Sequence, residues 1–128
     1  MFRTTLFAGA LSAAMAVMGA TAALAAELVM VEQVGCAWCA RWNEEIAPAY
    51  PKTSEGRFAP LRRVDLHALP DDLEIARRVV FTPTFLLVED GREIARMEGY
   101  PGEDFFWPML DKLLSDHTDY EPGVAGNG

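Results

Sequence analysis

Four short apolar runs lie along the chain after its first 25 residues, each bounded by polar, glycine or proline residues. They occupy residues 28–34, 59–66, 84–88 and 93–97. Their lengths and their content of β-branched residues are typical of strands. Asp90 and Gly91, between the last two runs, form a favoured hairpin turn, so these two strands are expected to be antiparallel. The first run is apolar at most positions, which predicts a strand buried on both faces.

Helical spacing of apolar residues predicts the remaining elements. One helix is expected to begin at Ala37 and to end near Pro48, with a polar loop over residues 52–57. A short helix is expected over residues 71–79, with an aspartate as its N-cap, and a last helix over residues 103–114. The order β-α-β-α-β-β-α predicts an α/β fold in which helices flank one mixed central sheet.

The first 25 residues have the composition of an export leader. Arg3 is their only charged side chain, an apolar centre spans residues 6–18, and the triplet Ala23-Leu24-Ala25 fits a cleavage site. We therefore expect residues 1–25 to be a signal peptide that is removed before Ala26. An uncleaved membrane anchor is the alternative, because a span needs about 20 apolar residues. Alanine and glycine dominate the stretch, which makes a membrane anchor the weaker interpretation. In both interpretations the domain is exported.

One domain is expected to follow the leader, over residues 26–114. Residues 115–128 contain a proline, three glycines and few apolar side chains, so we expect them to be a flexible tail. The net charge of −8 disfavours a phosphate-backbone partner, and the sequence therefore predicts no nucleic-acid binding.

The chemistry is expected at Cys36-Ala37-Trp38-Cys39, a C-x-x-C motif between a predicted strand and a predicted helix. The free N–H groups of a helix N-terminus favour a thiolate, which predicts that Cys36 is the nucleophile. Cys39, one turn further on, would then resolve the mixed disulfide. Outside the cytosol such a pair can persist as a disulfide.

Two other uses of the cysteines stay open on the residues alone. A static disulfide could brace a small exported domain, although a bridge that closes so short a loop removes little unfolded-state entropy. A copper or zinc site could combine both cysteines with His67 or His117, but neither histidine has the spacing of a zinc module.

Further site residues are expected around the cysteines. Trp38 is predicted to face solvent and to contact a partner. Glu32 could assist proton transfer to Cys39, although an acid near a strand end is more often solvated or paired. Thr82-Pro83 precedes the third strand, where a cis proline would place its loop against the sulfurs, although only about one X–Pro bond in twenty is cis.

The C-x-x-C after the first strand, the segment Phe81-Thr82-Pro83-Thr84-Phe85, the hairpin and Gly99 together resemble the thioredoxin superfamily over about residues 27–114. This resemblance implies a thioredoxin fold and a protein disulfide oxidoreductase that needs no cofactor. It also implies that Pro83 is cis and that Thr82 and Pro83 face the cysteines and hold the substrate chain.

Two segments narrow the resemblance to the periplasmic SoxS-type thioredoxins of bacterial sulfur-oxidation clusters. They are Gly35-Cys36-Ala37-Trp38-Cys39 with Trp42, and the segment over residues 98–107. This likeness implies a periplasmic reductase that keeps the cysteine of a SoxYZ-like carrier usable. A membrane electron transporter of the CcdA or DsbD type would re-reduce it, and we expect a monomer.

Two positions depart from the superfamily pattern. Met30 replaces the buried aspartate that many thioredoxins carry six residues before the first cysteine, so proton transfer to Cys39 can run differently. The dipeptide Ala37-Trp38 replaces Gly-Pro, and the reduction potential therefore cannot be transferred from thioredoxin. The alternatives are a dithiol reductase of general use or of cytochrome c maturation, a copper metallochaperone that uses the same cysteines, and a binding module with an inert disulfide.

Overall fold

The computed structural model describes residues 26–122, which form four strands, three α-helices and one turn of 3-10 helix. The strands are β1 (Glu27–Glu32), β2 (Leu61–Asp65), β3 (Thr84–Glu89) and β4 (Arg92–Glu98). The helices are α1 (Ala37–Glu45), the 3-10 turn Tyr50–Lys52, α2 (Ser54–Phe58) and α3 (Glu103–His117). The predicted signal peptide lies outside the described residues. Of the helices within residues 26–122, none is long and apolar enough to cross a membrane.

The strands form one mixed sheet in the order β2-β1-β3-β4. β1 pairs in parallel with β2 and antiparallel with β3, and β3 pairs antiparallel with β4. The predicted hairpin is confirmed: Asp90 and Gly91 have φ of 52° and 74°, the left-handed values that a two-residue turn of this kind requires. The predicted α/β class with a mixed central sheet is also confirmed.

The two inner strands divide the core between the two faces of the sheet. Leu28 and Met30 point to the face covered by α1 and α3, and Val29 and Val31 point to the other face. The larger core on the helical face contains Trp42, Ile46, Tyr50, Phe85, Leu87, Phe106, Leu110 and Leu114. Because β1 is buried on both faces, the loop that follows it starts from a rigid position.

The segment over residues 71–79 forms no helix in the described structure, so that prediction was wrong. Its backbone instead forms hydrogen bonds with residues at the start of β4. The Glu74 N–H donates to the Gly91 carbonyl at 2.8 Å, and the Glu93 N–H donates to the Glu74 carbonyl at 2.9 Å. This path also buries Leu73 and Val79 against the second face of the sheet. Tertiary pairing therefore overrides the local helical pattern.

The predicted loop over residues 52–57 instead overlaps the end of the 3-10 turn and most of α2. Thr53 caps α2, because its Oγ1 accepts from the Gly56 N–H at 3.0 Å and donates to the Tyr50 carbonyl at 2.7 Å. Gly56 packs so closely that an added Cβ would lie 1.8 Å from the Tyr50 carbonyl oxygen. The second helix thus precedes β2 rather than following it.

The last helix extends beyond its predicted end at residue 114 and ends at His117. Tyr120 beyond it is only 3% exposed, and its ring lies 5.2 Å from that of Phe58. The first residues of the predicted flexible tail therefore pack on the domain, because Tyr120 supplies an apolar anchor. Residues 123–128 lie outside the described residues.

Candidate active site

The two cysteines lie at the start of α1, directly after the turn that ends β1. Gly35 has a φ of 81°, and the Cys36 N–H donates to the Gln33 carbonyl at 3.3 Å, which closes this turn. Cys36 is the N-cap of α1, and its Sγ accepts from the Cys39 N–H at 3.1 Å. A sulfur that accepts from a helix N-terminus is stabilised as a thiolate when the bond to its partner is broken.

Cys36 and Cys39 form a disulfide, with their Cα atoms 5.2 Å apart. Their exposure differs: Cys39 is 3% exposed, whereas Cys36 is only partly buried. An incoming disulfide can therefore reach Cys36 but not Cys39. This asymmetry agrees with the expected roles of nucleophile and resolving thiol.

The Thr82–Pro83 peptide bond is cis, as the family resemblance implies. Thr84 fixes this loop, because its Oγ1 donates to the Phe81 carbonyl at 2.6 Å. Beside the loop is an open groove of about 450 Å³. The groove is lined by Trp38, Phe81, Thr82, Glu98, Gly99 and Tyr100. The loop and the C-x-x-C segment thus share one cleft, which we call the aromatic groove.

Trp38 forms one wall of the aromatic groove and is 53% exposed, as predicted, whereas Trp42 is fully buried. The Arg41 guanidinium lies 5.4 Å from the Trp38 ring and donates to Glu45 at 2.6 Å. Tyr100, which also lines the groove, donates to the other Glu45 oxygen at 2.5 Å. The hydrogen bond from Tyr100, with that from Arg41, lowers the pKa of Glu45. One ion pair thus connects two of the residues that line the groove.

Glu32 lies in a second groove, of about 380 Å³, which both cysteines line; we call it the cysteine groove. Its carboxylate accepts from the Arg63 guanidinium at 2.7 Å, and Arg63 also donates to Asn43 at 2.6 Å. The acid is therefore ion-paired, and it faces the same space as Cys39. Its role in proton transfer stays a prediction.

Gln33 was not singled out by the sequence. Its side chain lines the cysteine groove, and its Nε2 donates to Thr82 Oγ1 at 2.8 Å. Its Oε1 lies 3.1 Å from His67 Nε2. No local sequence pattern predicts a role for this residue, because its hydrogen-bond partners lie in loops that are distant in sequence.

The two histidines of the alternative metal site do not form a set of metal ligands with the cysteines in the described residues. His67 is bonded to Gln33, and His117 is the last residue of α3. Within residues 26–122, no group of three or more His, Cys, Asp or Glu side chains is placed to hold a metal ion.

Comparison with known proteins agrees with this geometry. The family described as a thioredoxin-like domain matches residues 11–114. Among solved structures, the chain is similar to the periplasmic thioredoxin SoxS from Paracoccus pantotrophus in its reduced form. The two are 57% identical with a TM-score of 0.68, over 70% of this chain and 96% of the SoxS chain. The comparison with curated proteins found no match. The chain belongs to the thioredoxin-like family, and its Cys36–Cys39 pair makes it a thiol–disulfide oxidoreductase with a thioredoxin fold.

Proposed function

We propose that this protein is a periplasmic disulfide reductase that keeps the cysteine of a SoxYZ-like sulfur-carrier protein in its usable form. A membrane electron transporter of the CcdA or DsbD type would return it to the dithiol state. The observation that carries the proposal is the partly exposed Cys36 at the cap of α1, in a chain 57% identical to a periplasmic thioredoxin SoxS.

The proposed cycle uses only the two sulfurs and a proton acceptor. The Cys36 thiolate attacks one sulfur of the partner's disulfide, and the partner's other sulfur leaves as a thiolate. Cys39 then loses its proton and attacks Cys36 Sγ, which releases the second partner thiolate and leaves the Cys36–Cys39 disulfide. Two electrons have moved to the partner. The Glu32 carboxylate is our candidate acceptor for the Cys39 proton, because it lines the cysteine groove.

Exposed apolar side chains around the site favour a protein as the partner. Trp38, Val80 and Phe81 are 53%, 65% and 61% exposed. Two of them line the aromatic groove, together with Thr82. Exposed apolar side chains grouped at a cleft mark interaction sites. We propose that Trp38, Thr82 and Pro83 contact the partner chain next to its cysteine.

The reduction potential tests the direction of the reaction. The protein is equilibrated with a series of reduced and oxidised dithiothreitol or glutathione, and tryptophan fluorescence reports the state of the pair. A potential near the thioredoxin value, about −270 mV, supports the reductase, and a potential near the DsbA value, about −120 mV, overturns it.

Trapping tests the partner. Cys39→Ser cannot resolve the mixed disulfide, so it should accumulate a covalent complex with a purified SoxYZ-like carrier whose cysteine is held in a disulfide. The control, Cys36→Ser with Cys39→Ser, should trap nothing. If the carrier is not trapped while a cytochrome c maturation thiol protein is, the alternative reductase is correct. Stoichiometric copper bound through both thiols, without disulfide reduction, would indicate a metallochaperone.

We also propose that residues 1–25 are a signal peptide. The intact mass of the protein from the periplasmic fraction should correspond to a chain that begins at Ala26. A mass that includes the leader would favour the membrane anchor.

A further inference from the structure

The loop between β1 and the nucleophile carries a side chain that connects three separate loops. Gln33 donates through Nε2 to Thr82 Oγ1 at 2.8 Å, and its Oε1 lies 3.1 Å from His67 Nε2. Thr82 is 49 residues from Gln33 in sequence, and His67 is 34 residues away. Because β1 and β2 are parallel and β3 is antiparallel to them, the ends of β1 and β2 and the start of β3 share one edge of the sheet.

Both ends of the Gln33 amide have a partner. Nε2 donates to Thr82 Oγ1, and Oε1 can only accept, so His67 bonds to it in the tautomer that carries a hydrogen on Nε2. With Oγ1 accepting from Gln33, the Thr82 hydroxyl hydrogen stays available to an acceptor in the aromatic groove, which Thr82 lines. The backbone carbonyl of Gln33 also accepts a hydrogen bond from the Cys36 N–H at 3.3 Å. One residue therefore touches both the nucleophile segment and the cis-proline loop.

We propose that Gln33 is a positioning residue that adapts this site to disulfides carried on polypeptide chains. Its amide fixes Thr82 relative to Cys36, so that a chain lying beside the cis-proline loop presents its sulfur to the nucleophile. A small disulfide needs no such alignment, because it reaches Cys36 without occupying the loop. The proposal rests on thiol–disulfide exchange by this family and not on the identity of the partner or the direction of electron flow.

The test is a steady-state assay with insulin as the protein disulfide and dithiothreitol as the electron donor. Gln33→Met keeps the length of the side chain and removes both hydrogen bonds. We expect the KM for insulin to rise about three- to tenfold, the effect of losing the hydrogen bond to Thr82, while kcat changes far less. The rate at which the reduced protein, freed of dithiothreitol, reduces the small disulfide 5,5′-dithiobis(2-nitrobenzoate) in a single turnover should fall less than kcat/KM for insulin.

A double-mutant cycle shows whether Gln33 acts through Thr82. Thr82→Val removes the acceptor, so the double variant with Gln33→Met should be no worse than the poorer single variant. His67→Ala, which frees the other end of the amide, should raise the insulin KM in the same direction. Thr118→Val is the matched control: it also loses a hydroxyl hydrogen bond, to the Leu114 carbonyl, but at the end of α3.

An unchanged insulin KM in Gln33→Met, or effects that simply add in the double variant, would overturn the proposal. Thermal unfolding of each variant shows that the protein assayed is folded, and His67→Ala replaces Gln33→Met if the latter is not. An oxidising reduction potential would refute the reductase function and leave the KM difference intact, so the two failures can be distinguished.

Discussion

Replacing Glu93 by glutamine removes one charge from a buried ion pair on β4. The Glu93 and Arg96 side chains are 2% and 3% exposed and form an ion pair. Glu93 also accepts from the Ala76 N–H at 2.6 Å, and Arg96 donates to the Arg77 carbonyl at 2.7 Å. The pair therefore fastens the segment that covers the second face of the sheet and continues into the cis-proline loop.

The magnitude follows from the burial of both charges. In Glu93→Gln, the buried Arg96 guanidinium keeps as counter-charge only the more exposed Glu98, 3.6 Å away. Breaking a buried pair costs about 3 to 5 kcal/mol, and because Glu98 remains we expect the lower end, about 3 kcal/mol. That is a large part of the roughly 5 to 15 kcal/mol by which such domains are stable. The midpoint of thermal unfolding should fall by roughly 12 °C or more, at roughly 4 °C per kcal/mol.

The assay is urea unfolding at about pH 7, followed by fluorescence of the buried Trp42. Glu74→Gln is the matched control, because Glu74 pairs with Arg92 at 3.5 Å while both side chains are about 70% exposed. Its free energy of unfolding should change by less than about 0.5 kcal/mol. A loss below about 1 kcal/mol in Glu93→Gln would refute the reasoning, because it would mean that Arg96 finds solvent or another partner.

The same pair gives a pH dependence. Burial opposes ionisation of Glu93, but hydrogen bonds from Arg96 and from the Ala76 N–H outweigh it and lower the pKa of the carboxyl. A lowered pKa in the folded state contributes stability above the unfolded value, and that stability is lost as the pH falls through the folded value. The difference between parent and Glu93→Gln should therefore shrink as the pH falls below about 4.3.

Three further substitutions test other parts of the structure. Gly56→Ala should destabilise the fold by roughly 3 kcal/mol in urea unfolding, because the new Cβ would lie 1.8 Å from a backbone carbonyl oxygen; a neutral effect would contradict this packing. Burial and contact with Glu55 raise the pKa of Asp111 to about 6, so ionisation costs stability as the pH rises. Asp111→Asn should therefore gain stability over the parent as the pH rises from about 4 to about 6, and a difference that stays constant over this range would be evidence against it. Tyr100→Phe should raise the pKa of Glu45, measured by NMR titration, whereas an unchanged value would show that the Tyr100 hydrogen bond is unimportant.

Local sequence patterns were sufficient to predict the elements whose structure depends on their own residues alone. The apolar run of β1 and the Asp90-Gly91 turn need no distant partner to be interpreted, and both predictions were confirmed. The segment over residues 71–79 shows the opposite case, because its backbone partners lie at the start of β4. α2 was missed since its five residues carry no apolar periodicity, and only the Thr53 cap marks it.

At the site, the sequence pattern was informative about the covalent chemistry and silent about its surroundings. A C-x-x-C at a strand-to-helix junction has a local signature, and the disulfide lies where it was expected. Gln33 has none, because its hydrogen bonds join residues that only the sheet brings together. Long-range polar contacts of this kind depend on the assembled fold.

The position of the site on the two inner strands has a consequence for hydrogen exchange. Cys36 follows β1 and Pro83 precedes β3, and these strands pair with each other, with Val31 opposite Thr84. Backbone amides of the inner strands should exchange only on global unfolding, whereas β2 and β4, at the borders of the sheet, can open locally. Local opening of β2 or β4 then leaves Cys36 and the cis-proline loop in the same relative position. The protein should therefore keep its thiol–disulfide exchange activity when either outer strand is open.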